Sequence, residues 1–336
     1  MNSNLVVDTL TRRTILVVGD IFLDDYLVGR AERLSREAPV PVLDFRARRQ
    51  VPGGGANPAM NLAALGAAVC QIGMVGDDAE GETLRQLFAA AGVDAGGVIT
   101  DSSRPTITKL RVMAEGELRF PQQLARIDRQ SREPLADSLQ ARLVAELERL
   151  AATRDPAAIL FSDYRAGLIA PALLDAARNI AGERGLLLTA DTQGSLDKYH
   201  GFSLLKCNRA EAEAYLGQPL ADERDFERTL AELNGKLNVD VMLITRGARG
   251  MSLGLRGRGH VHLPAANATE VYDVTGAGDT VIAVATLALA SGADAVEAAQ
   301  LANLAAGLVV RRWGNAVVTR EELKEEVENL SKLPGT

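Results

Sequence analysis

Short apolar runs alternate with longer segments of helical periodicity along most of this 336-residue sequence. Such alternation predicts a mostly parallel sheet with helices on both faces, which is an α/β fold. The predicted strands are residues 15–19, 69–75, 157–161, 186–190 and 241–245. The predicted helices are residues 56–65, 80–91, 134–152, 171–184, 210–216, 222–237, 277–290, 295–311 and 319–330. We expect one domain over residues 12–322, followed by the end of a helix and a tail over residues 323–336.

Two stretches interrupt this alternation. Residues 24–51 and 102–128 contain strand-like patterns with prolines and charges but no helical segment. One interpretation is that the two stretches pair into a small antiparallel sheet that acts as a lid on the main domain. The other interpretation is a set of ordinary surface hairpins. An exposed lid sheet would also offer an edge to a second copy of the chain, so a homodimer through the lid is expected.

Composition excludes several classes of function. The formal charge of −7 and the 4% aromatic content are unsuited to nucleic-acid binding, which needs basic patches and stacking side chains. Three histidines leave little for a zinc centre or a serine–histidine triad. Two cysteines without paired spacing, no secretory pattern at the start and no apolar stretch near the roughly 20 residues of a membrane span predict a cytoplasmic protein without a membrane partner.

The most informative segment is VYDVTGAGDT at residues 271–280, which leads directly into an apolar helix. Glycines before a helix let several backbone amides converge, and free amides at a helix N-terminus bind anions. Asp279 lies in the first turn, beside the anion site that Gly276, Ala277 and Gly278 would form. A helix cap would also explain an aspartate here, but it does not require two glycines. A carboxylate next to an anion site is typical of phosphoryl transfer, with the carboxylate as general base.

Two further segments have the composition of a sugar site. Asp20 and Asp24 follow the first predicted strand, where ligands bind in α/β folds, and carboxylates accept hydrogen bonds from hydroxyl groups. Residues 52–66 contain Gly54, Gly55 and Asn57, and glycines there allow a ligand to approach the backbone. Neither the dinucleotide-binding glycine pattern nor a Walker A loop occurs in this segment.

Together these segments resemble the ribokinase-like, or pfkB-type, carbohydrate kinases. The order of motifs is similar to that family: an early aspartate, Gly-Gly-x-x-x-Asn, Asn-x-x-Glu at residues 208–211 and a late Gly-Ala-Gly-Asp. The resemblance implies a ribokinase-like three-layer domain with a β-sheet lid, and a reaction that uses ATP and Mg²⁺. It also implies that Asp279 is the catalytic base and that Asp20, Gly54, Gly55 and Asn57 hold the sugar.

The resemblance assigns further residues to the nucleotide. Asn208 and Glu211 would organise Mg²⁺, through water, and the phosphates. The remaining nucleotide-binding positions are Thr245, Arg246, Gly247, Gly250, Asn303 and Gly314, the last two near the purine. Asp273 and Thr275 match positions where some members hold a monovalent cation, for which K⁺ is the candidate.

Several segments narrow the resemblance to the heptose 7-phosphate kinases of lipopolysaccharide core synthesis. They are RLSREAPVPV, PTITKLR, QQLARID, SDYRAG (which contains Asp163, a further substrate-binding candidate) and EVYDVTGAGDTV. The resemblance implies phosphorylation of the anomeric hydroxyl of D-glycero-β-D-manno-heptose 7-phosphate. Lys109 and Arg111 alternate on one predicted strand and so share a face, where they could bind a phosphate together with Arg126 or Arg36. Solvated lid charges are the alternative.

Two departures from the pattern matter. Many of these kinases have Asp-Pro-Lys or Asp-Pro-Arg where this chain has Asp191-Thr192-Gln193, so the role of Asp191 is open. No His-x-Gly-His nucleotidyltransferase signature occurs, so we expect the adenylyl transfer to belong to a separate protein. Two alternatives remain open: a kinase of this fold for another sugar or sugar phosphate, and a non-catalytic regulator that binds a sugar phosphate.

Overall fold

The computed structural model describes residues 7–10, 13–115, 121–267 and 270–331. Its centre is a nine-stranded sheet with the order β13-β12-β11-β10-β9-β8-β1-β4-β5. These strands are β1 (Thr14–Gly19), β4 (Ala68–Gly76), β5 (Asp94–Asp101), β8 (Ala158–Asp163), β9 (Leu187–Thr192), β10 (Leu204–Asn208), β11 (Val241–Thr245), β12 (Met251–Leu255) and β13 (Gly259–Leu263). From β5 to β11 neighbouring strands run parallel, and β12 and β13 continue the sheet antiparallel.

Helices cover both faces of this sheet, as the alternating pattern predicts. They are α1 (Ala56–Ala64), α2 (Ala79–Ala90), α3 (Asp137–Arg154), α4 (Pro171–Arg184), α5 (Arg209–Leu216), α6 (Glu223–Leu237), α7 (Ala277–Ala290), α8 (Ala295–Val309) and α9 (Arg320–Ser331). The predicted bounds of α4 and α7 are confirmed. Pro171 sets the start of α4 and Gly185, at a φ of +68°, ends it.

Alternate residues of β1 enter two separate cores. Ile15 and Val17 pack with α1, α7 and α8, whereas Leu16 and Val18 pack with α3 and α4. A strand buried on both faces has an unbroken apolar sequence, and each fully buried side chain of this size contributes roughly 1.5–3 kcal/mol. Helix α7 is apolar on nearly all sides because it lies between the sheet and α8, and this places its N-terminus near the carboxyl ends of the central strands.

A second sheet of four strands, hereafter the lid, has the order β3-β2-β6-β7. Its strands are β2 (Ile21–Leu34), β3 (Pro41–Gly54), β6 (Ile107–Glu115) and β7 (Gln122–Arg129). The two stretches without helices therefore do pair with each other, apart from residues 116–120, which lie outside the described part. Two strand pairs of the lid, β2–β3 and β6–β7, are antiparallel, as the lid interpretation expects. The central pair β2–β6 is parallel, which corrects that interpretation. The chain passes through α1, β4, α2 and β5 before it enters the lid again in the direction of β2.

Four strands were not predicted from the sequence: β5, β10, β12 and β13. β10 has the sequence LLKCN, in which Lys206 interrupts the apolar run that would otherwise indicate a buried strand. In the described parts of the chain no helix combines the length and the apolar character needed to cross a membrane.

Candidate active site

Asp279 lies in the first turn of α7 and is 4% exposed. Its carboxylate accepts a hydrogen bond from the side-chain amide of Asn57, with Nδ2 and Oδ2 2.8 Å apart, and one from the hydroxyl of Tyr164, with Oη and Oδ1 2.9 Å apart. Burial, followed by the negative charge of Asp191, raises the pKa of Asp279 to about 7. A carboxylate with a pKa near the working pH is suited to take a proton from a hydroxyl group.

Tyr164 was not predicted from the sequence. Burial and the adjacent carboxylate of Asp279 raise the pKa of its hydroxyl well above the ordinary value. The hydroxyl therefore keeps its proton and acts as a donor to Asp279. The only sequence signal was its position directly after Asp163, at the end of β8.

The glycines before Asp279 are required by close contacts. Gly276 has a φ of +78°, and a Cβ there would be 2.6 Å from Nδ2 of Asn57. A Cβ on Gly278 would be 2.7 Å from Nζ of Lys206. The backbone amide of Ala277 donates to the carbonyl oxygen of Val274 at 3.2 Å, so it is not free for an anion. Among the described residues the amide of Gly278 has no acceptor, which fits the predicted anion site at that position.

Lys206 and Asp191 form a buried ion pair that the sequence did not reveal. They are register partners on the neighbouring strands β10 and β9, and Nζ lies 2.6 Å from Oδ2. Burial opposes the charge on Lys206, but the adjacent carboxylate of Asp191 holds the pKa of the ammonium above its ordinary value. The available signal was the lysine itself, because a lysine inside a buried strand is rare unless it has a partner.

Asp20 is directed at the backbone. Its carboxylate accepts hydrogen bonds from the backbone amides of Tyr164, Ala166 and Leu168 at distances of 3.1, 3.0 and 3.2 Å. Burial raises its pKa to about 6 in spite of these amides. Asp20 therefore holds the loop that carries Tyr164, and the structure shows no opening of its oxygens toward the cavity beside Asp279.

Asp163 has a similar supporting position. Its carboxylate accepts hydrogen bonds from the hydroxyl of Tyr199 at 2.7 Å, from the amide of Arg165 at 2.8 Å and from Nζ of Lys198 at 3.3 Å. Unlike Asp20, Asp163 also lines the cavity beside Asp279.

The glycine segment before α1 packs against the end of β1. Gly54 has a φ of +57°, and a Cβ there would be 2.6 Å from the carbonyl oxygen of Asp20. The amide of Gly55 donates to the same oxygen at 2.7 Å. These two glycines therefore permit a close approach of protein backbone, while Asn57, two residues further on, reaches Asp279.

The lid places Asp24, Lys109, Arg111, Arg126 and Asp128 on one face. Asp24 is the register partner of Lys109, which is the partner of Asp128, and Arg111 is the partner of Arg126. Paired residues of adjacent strands share a face, so the predicted common face of Lys109 and Arg111 is confirmed.

Within this face the cations have different partners. Arg111 forms an ion pair with the buried carboxylate of Asp24, which also accepts a hydrogen bond from Nδ2 of Asn315 at 2.6 Å. Arg126 is half-exposed and pairs with Asp128 at 2.8 Å. Neither arginine is therefore a free cation. Asp24 is held by two donors, which leaves its role at the sugar a prediction.

Lys109 has a different environment. Its Nζ lies 3.9 Å from the ring centroid of Phe22 and 5.5 Å from that of Tyr164. Burial lowers its pKa from the ordinary value. Among the described residues Lys109 forms no ion pair and no side-chain hydrogen bond, so this ammonium is available to an anionic ligand next to Tyr164.

Two cavities meet near Asp279. The larger cavity has a volume of about 710 Å³. It is lined by Asn208 and by every predicted nucleotide-binding residue of the second group except Gly314. These residues are Asn208, Thr245, Arg246, Gly247, Gly250 and Asn303. The smaller cavity, of about 110 Å³, is lined by Asp163, Tyr164, Asp191, Gln193, Lys206, Asn208, Glu211, Gly276, Gly278 and Asp279. Asn208, Lys206 and Gly278 line both, so the two spaces adjoin at these side chains.

Asn208 and Glu211 form the N-terminal cap of α5. The side chain of Asn208 accepts from the amide of Glu211 at 2.9 Å, and Glu211 accepts from the amide of Asn208 at 2.6 Å. The Asn-x-x-Glu spacing thus has a local structural cause, a capping box, in addition to the predicted role at Mg²⁺. The donor set fits Mg²⁺, because both side chains offer oxygens at the small cavity and Mg²⁺ prefers oxygen ligands completed by water and phosphate. The described residues contain no group of three or more acidic, histidine or cysteine side chains suited to a metal ion.

Arg246 is directed away from the nucleotide cavity. Its guanidinium forms two hydrogen bonds with the carboxylate of Glu223, at 2.9 and 2.6 Å, and one with the hydroxyl of Ser252 at 2.9 Å. It also lies 3.8 Å from the ring centroid of Phe226. The structure therefore does not support the predicted direct contact between this guanidinium and the nucleotide. The guanidinium instead links the end of β11 to Glu223 and Ser252.

Gly314 is the predicted purine residue that the structure places elsewhere. It lies beside the lid, where a Cβ would be 3.7 Å from the side chains of Tyr26 and Arg49. Its amide donates to the carboxylate of Asp273 at 2.8 Å, and the same carboxylate accepts from the amide of Thr275 at 2.9 Å. Asp273 thereby joins two loops, and cation binding at this position stays a prediction.

Comparison with known proteins gives one family. The family model described as "pfkB family carbohydrate kinase" matches residues 12–320. The chain is 43% identical over 309 residues to the "Bifunctional protein HldE" of Geobacter metallireducens, which covers 92% of this chain and 61% of the relative. It is 42% identical over 320 residues to the protein of the same name from Azotobacter vinelandii, covering 94% and 64%. The chain thus spans less than two thirds of the length of these curated relatives.

Solved structures agree on the fold. The phosphofructokinase-2 of Escherichia coli in complex with substrates and products has a TM-score of 0.76 at 20% identity and covers 96% of this chain and all of its own. The ribokinase of Arabidopsis thaliana complexed with ribose and ATP has a TM-score of 0.71 at 21% identity and covers 94% and 99%. The fold is therefore the predicted ribokinase-like α/β fold, with a large mostly parallel sheet and a smaller second sheet.

Proposed function

Since the chain belongs to the pfkB family of carbohydrate kinases, we propose that it transfers the γ-phosphoryl group of ATP to a sugar hydroxyl with Asp279 as the base. The observation that carries this proposal is the position of Asp279. It is a buried carboxylate with a pKa of about 7 that lines the small cavity. It directly follows Gly278, which lines both cavities and whose amide has no acceptor among the described residues. A protein that only binds a sugar phosphate has no need of such a group.

The reaction follows from this arrangement. ATP occupies the large cavity with its γ-phosphate at the junction, and the sugar lies between Asp279 and the lid. Asp279 accepts the proton of the sugar hydroxyl while the new oxygen–phosphorus bond forms, and the bond between the γ-phosphorus and the β,γ-bridging oxygen breaks to release ADP. The amide of Gly278 stabilises the charge on the transferred group, and such a reaction depends mainly on positioning and electrostatics. Mg²⁺, held through water by Asn208 and Glu211, would neutralise phosphate charge.

As substrate we propose D-glycero-β-D-manno-heptose 7-phosphate, phosphorylated at the anomeric hydroxyl to the 1,7-bisphosphate. Two observations support a phosphorylated sugar of this kind. Relatives named "Bifunctional protein HldE" match over nearly the whole chain, and the motifs of the heptose 7-phosphate kinases are present. Lys109 also offers an ammonium beside Tyr164 that pairs with no anion among the described residues. Arg111 and Arg126 contribute less than the sequence suggested, because each already pairs with an aspartate.

We also propose that two copies associate through their lids. Large apolar side chains lie exposed on this sheet and on the connection between β2 and β3, namely Leu34, Val40, Phe45, Leu124 and Ile127. Edge strands β3 and β7 carry three of them, and an exposed apolar edge favours pairing with another chain. Replacement of Phe45 by glutamate should shift the mass in light scattering from that of a dimer to that of a monomer, and a monomeric parent protein would refute this arrangement.

A coupled ADP-release assay tests the substrate. The panel comprises both anomers of the heptose 7-phosphate, fructose 6-phosphate, ribose and the unphosphorylated heptose, with ³¹P NMR to identify the oxygen that receives the phosphate. We expect the β-anomer of the heptose phosphate to have the largest kcat/KM and the product to be the 1-phosphate. A larger kcat/KM for another sugar would show that the proposed substrate is wrong and that the proposed phosphoryl transfer is right. If no sugar of the panel is phosphorylated, the alternative of a non-catalytic regulator that binds a sugar phosphate would be favoured.

A further inference from the structure

Lys206 lies in the wall between the two cavities of the active site. Its side chain is buried and lines both of them. Its ammonium is so near the start of α7 that a Cβ on Gly278 would be 2.7 Å from Nζ. This is the junction where the γ-phosphate of a nucleotide in the large cavity meets a hydroxyl in front of Asp279.

The ammonium has spare hydrogen-bonding capacity. A lysine has three N–H donors, and within the described residues only one is used, by Oδ2 of Asp191 at 2.6 Å. Buried donors in proteins are normally satisfied, so the other two favour an anionic acceptor inside the cavity. The two residues after Asp191 do not supply a positive charge, because they are Thr192 and Gln193.

The lining of the small cavity is poor in positive charge. The ionisable side chains around the small cavity are Asp163, Tyr164, Asp191, Lys206, Glu211 and Asp279. Lys206 is the single cation in this set from the described residues, and it faces four carboxyl groups. A phosphate that enters such a site requires compensation, and charge-assisted hydrogen bonds are the strongest form that a side chain provides.

We propose that Lys206 is a catalytic residue that binds the phosphoryl group during its transfer, and that Asp191 is the positioning residue that holds its ammonium at the cavity junction. This inference rests on the proposed phosphoryl transfer and adds to it the cation that acts on the transferred group. Asp279 then supplies the base, and Lys206 supplies the positive charge for the transferred group.

The first test is Lys206→Met, which keeps the length of the side chain and removes the charge. Loss of one preorganised donor at a developing charge lowers kcat by about 10²–10³-fold, and we expect a loss of this size with an unchanged KM for the sugar. Lys236→Met is the matched control, because Lys236 is exposed on α6 and is not among the residues that line either cavity. A kcat for Lys206→Met within about threefold of that control would overturn the proposal.

Methionine at position 206 leaves the carboxylate of Asp191 buried without its partner, and this destabilises the fold. The double variant Lys206→Met with Asp191→Asn removes both charges and avoids that penalty. If Lys206 acts on the phosphate, the double variant folds as the parent does but is as slow as Lys206→Met. If the ion pair serves the fold alone, the double variant recovers the parent kcat, and the proposal is wrong.

Nucleotide binding supplies a readout that does not depend on turnover. By calorimetry with Mg²⁺ present, the double variant should lose about tenfold or more in affinity for a non-hydrolysable ATP analogue, the equivalent of one charged hydrogen bond, and little for AMP. Equal losses for both nucleotides would assign Lys206 to the fold. If the parent protein transfers phosphate to no sugar, the proposed function fails. The loss of affinity for the ATP analogue, compared with that for AMP, still tests whether Lys206 binds the phosphate.

Discussion

The surroundings of Asp279 and the lid are built in opposite ways. Around Asp279, buried polar side chains from different elements bond to one another: Asn57 and Tyr164 bond to Asp279, and Lys206 bonds to Asp191. On the lid, exposed arginines pair with nearby carboxylates, and large apolar side chains face outward. A buried network fixes positions and shifts pKa values, whereas an exposed sheet can adapt to a ligand or a partner. Catalytic rate should therefore depend on the first region, and sugar affinity on the second.

The largest effect should come from Asp279→Asn, which keeps the shape of the side chain and removes the base. We expect kcat to fall by about 10²–10⁴-fold, the range typical for the loss of a general base, because asparagine cannot accept the hydroxyl proton. The dissociation constant of the sugar, from calorimetry, should change little. A kcat close to that of the parent protein would exclude Asp279 as the base.

The same variant should be more stable than the parent protein above neutral pH. The pKa of Asp279 is about 7 in the folded chain, against an ordinary value of 3.8, so the folded state binds more protons between these values. Stability contributed by the protonated form is present at low pH and is lost as the pH rises through about 7. We expect Asp279→Asn to gain on the order of 1–3 kcal/mol in free energy of unfolding at pH 8, and much less at pH 5. Urea titrations at the two pH values measure the difference.

Local motifs made the first region partly predictable. Asp279 and its glycines form a continuous segment ahead of an apolar helix, so the sequence was enough to propose a role for them. Tyr164 and Lys206 were missed because each acts through a tertiary contact, Tyr164 from the loop after β8 and Lys206 from β10. Asp20 shows the reverse case, since its position after β1 indicated a ligand but three backbone amides take its oxygens.

In the lid, alternation predicted the existence of strands but not their pairing. Strands that follow one another along the chain usually pair as antiparallel hairpins. The parallel pair β2–β6 results from the elements between the two stretches, and the residue pattern of 24–51 and 102–128 carries no information about them. The shared face of Lys109 and Arg111 was predictable because side chains alternate along a strand. The partners of these cations, Asp24 for Arg111 and two aromatic rings for Lys109, depend on tertiary contacts.

Lys109→Met should change sugar affinity and leave the chemistry intact. The ammonium lies beside Tyr164, and no anion in the described part of the chain pairs with it. Its loss should therefore raise the KM for a phosphorylated sugar by about tenfold, as expected for a hydrogen bond between charged groups. The KM for ATP should stay unchanged. Arg33→Met on the exposed end of β2 is the matched control. If the KM for an unphosphorylated sugar rises equally, Lys109 contributes to packing and not to phosphate recognition.

Tyr164 joins the two regions, and its replacement should have the smallest effect. Its ring packs edge-on against Phe22 of the lid strand β2, with centroids 5.2 Å apart, while its hydroxyl bonds to Asp279. Tyr164→Phe keeps the ring and removes a donor that lowers the pKa of Asp279. That pKa should rise by up to about one unit, the worth of one such hydrogen bond.

The pH dependence of kcat measures this shift directly. Because Asp279 must be ionised to accept a proton, kcat should fall below a pH of about 7 in the parent protein. In Tyr164→Phe the fall should begin at higher pH, while kcat on the alkaline plateau changes by less than about threefold. An unchanged acidic limb with a raised sugar KM would show instead that the hydroxyl of Tyr164 contributes to sugar binding and does not set the pKa of Asp279.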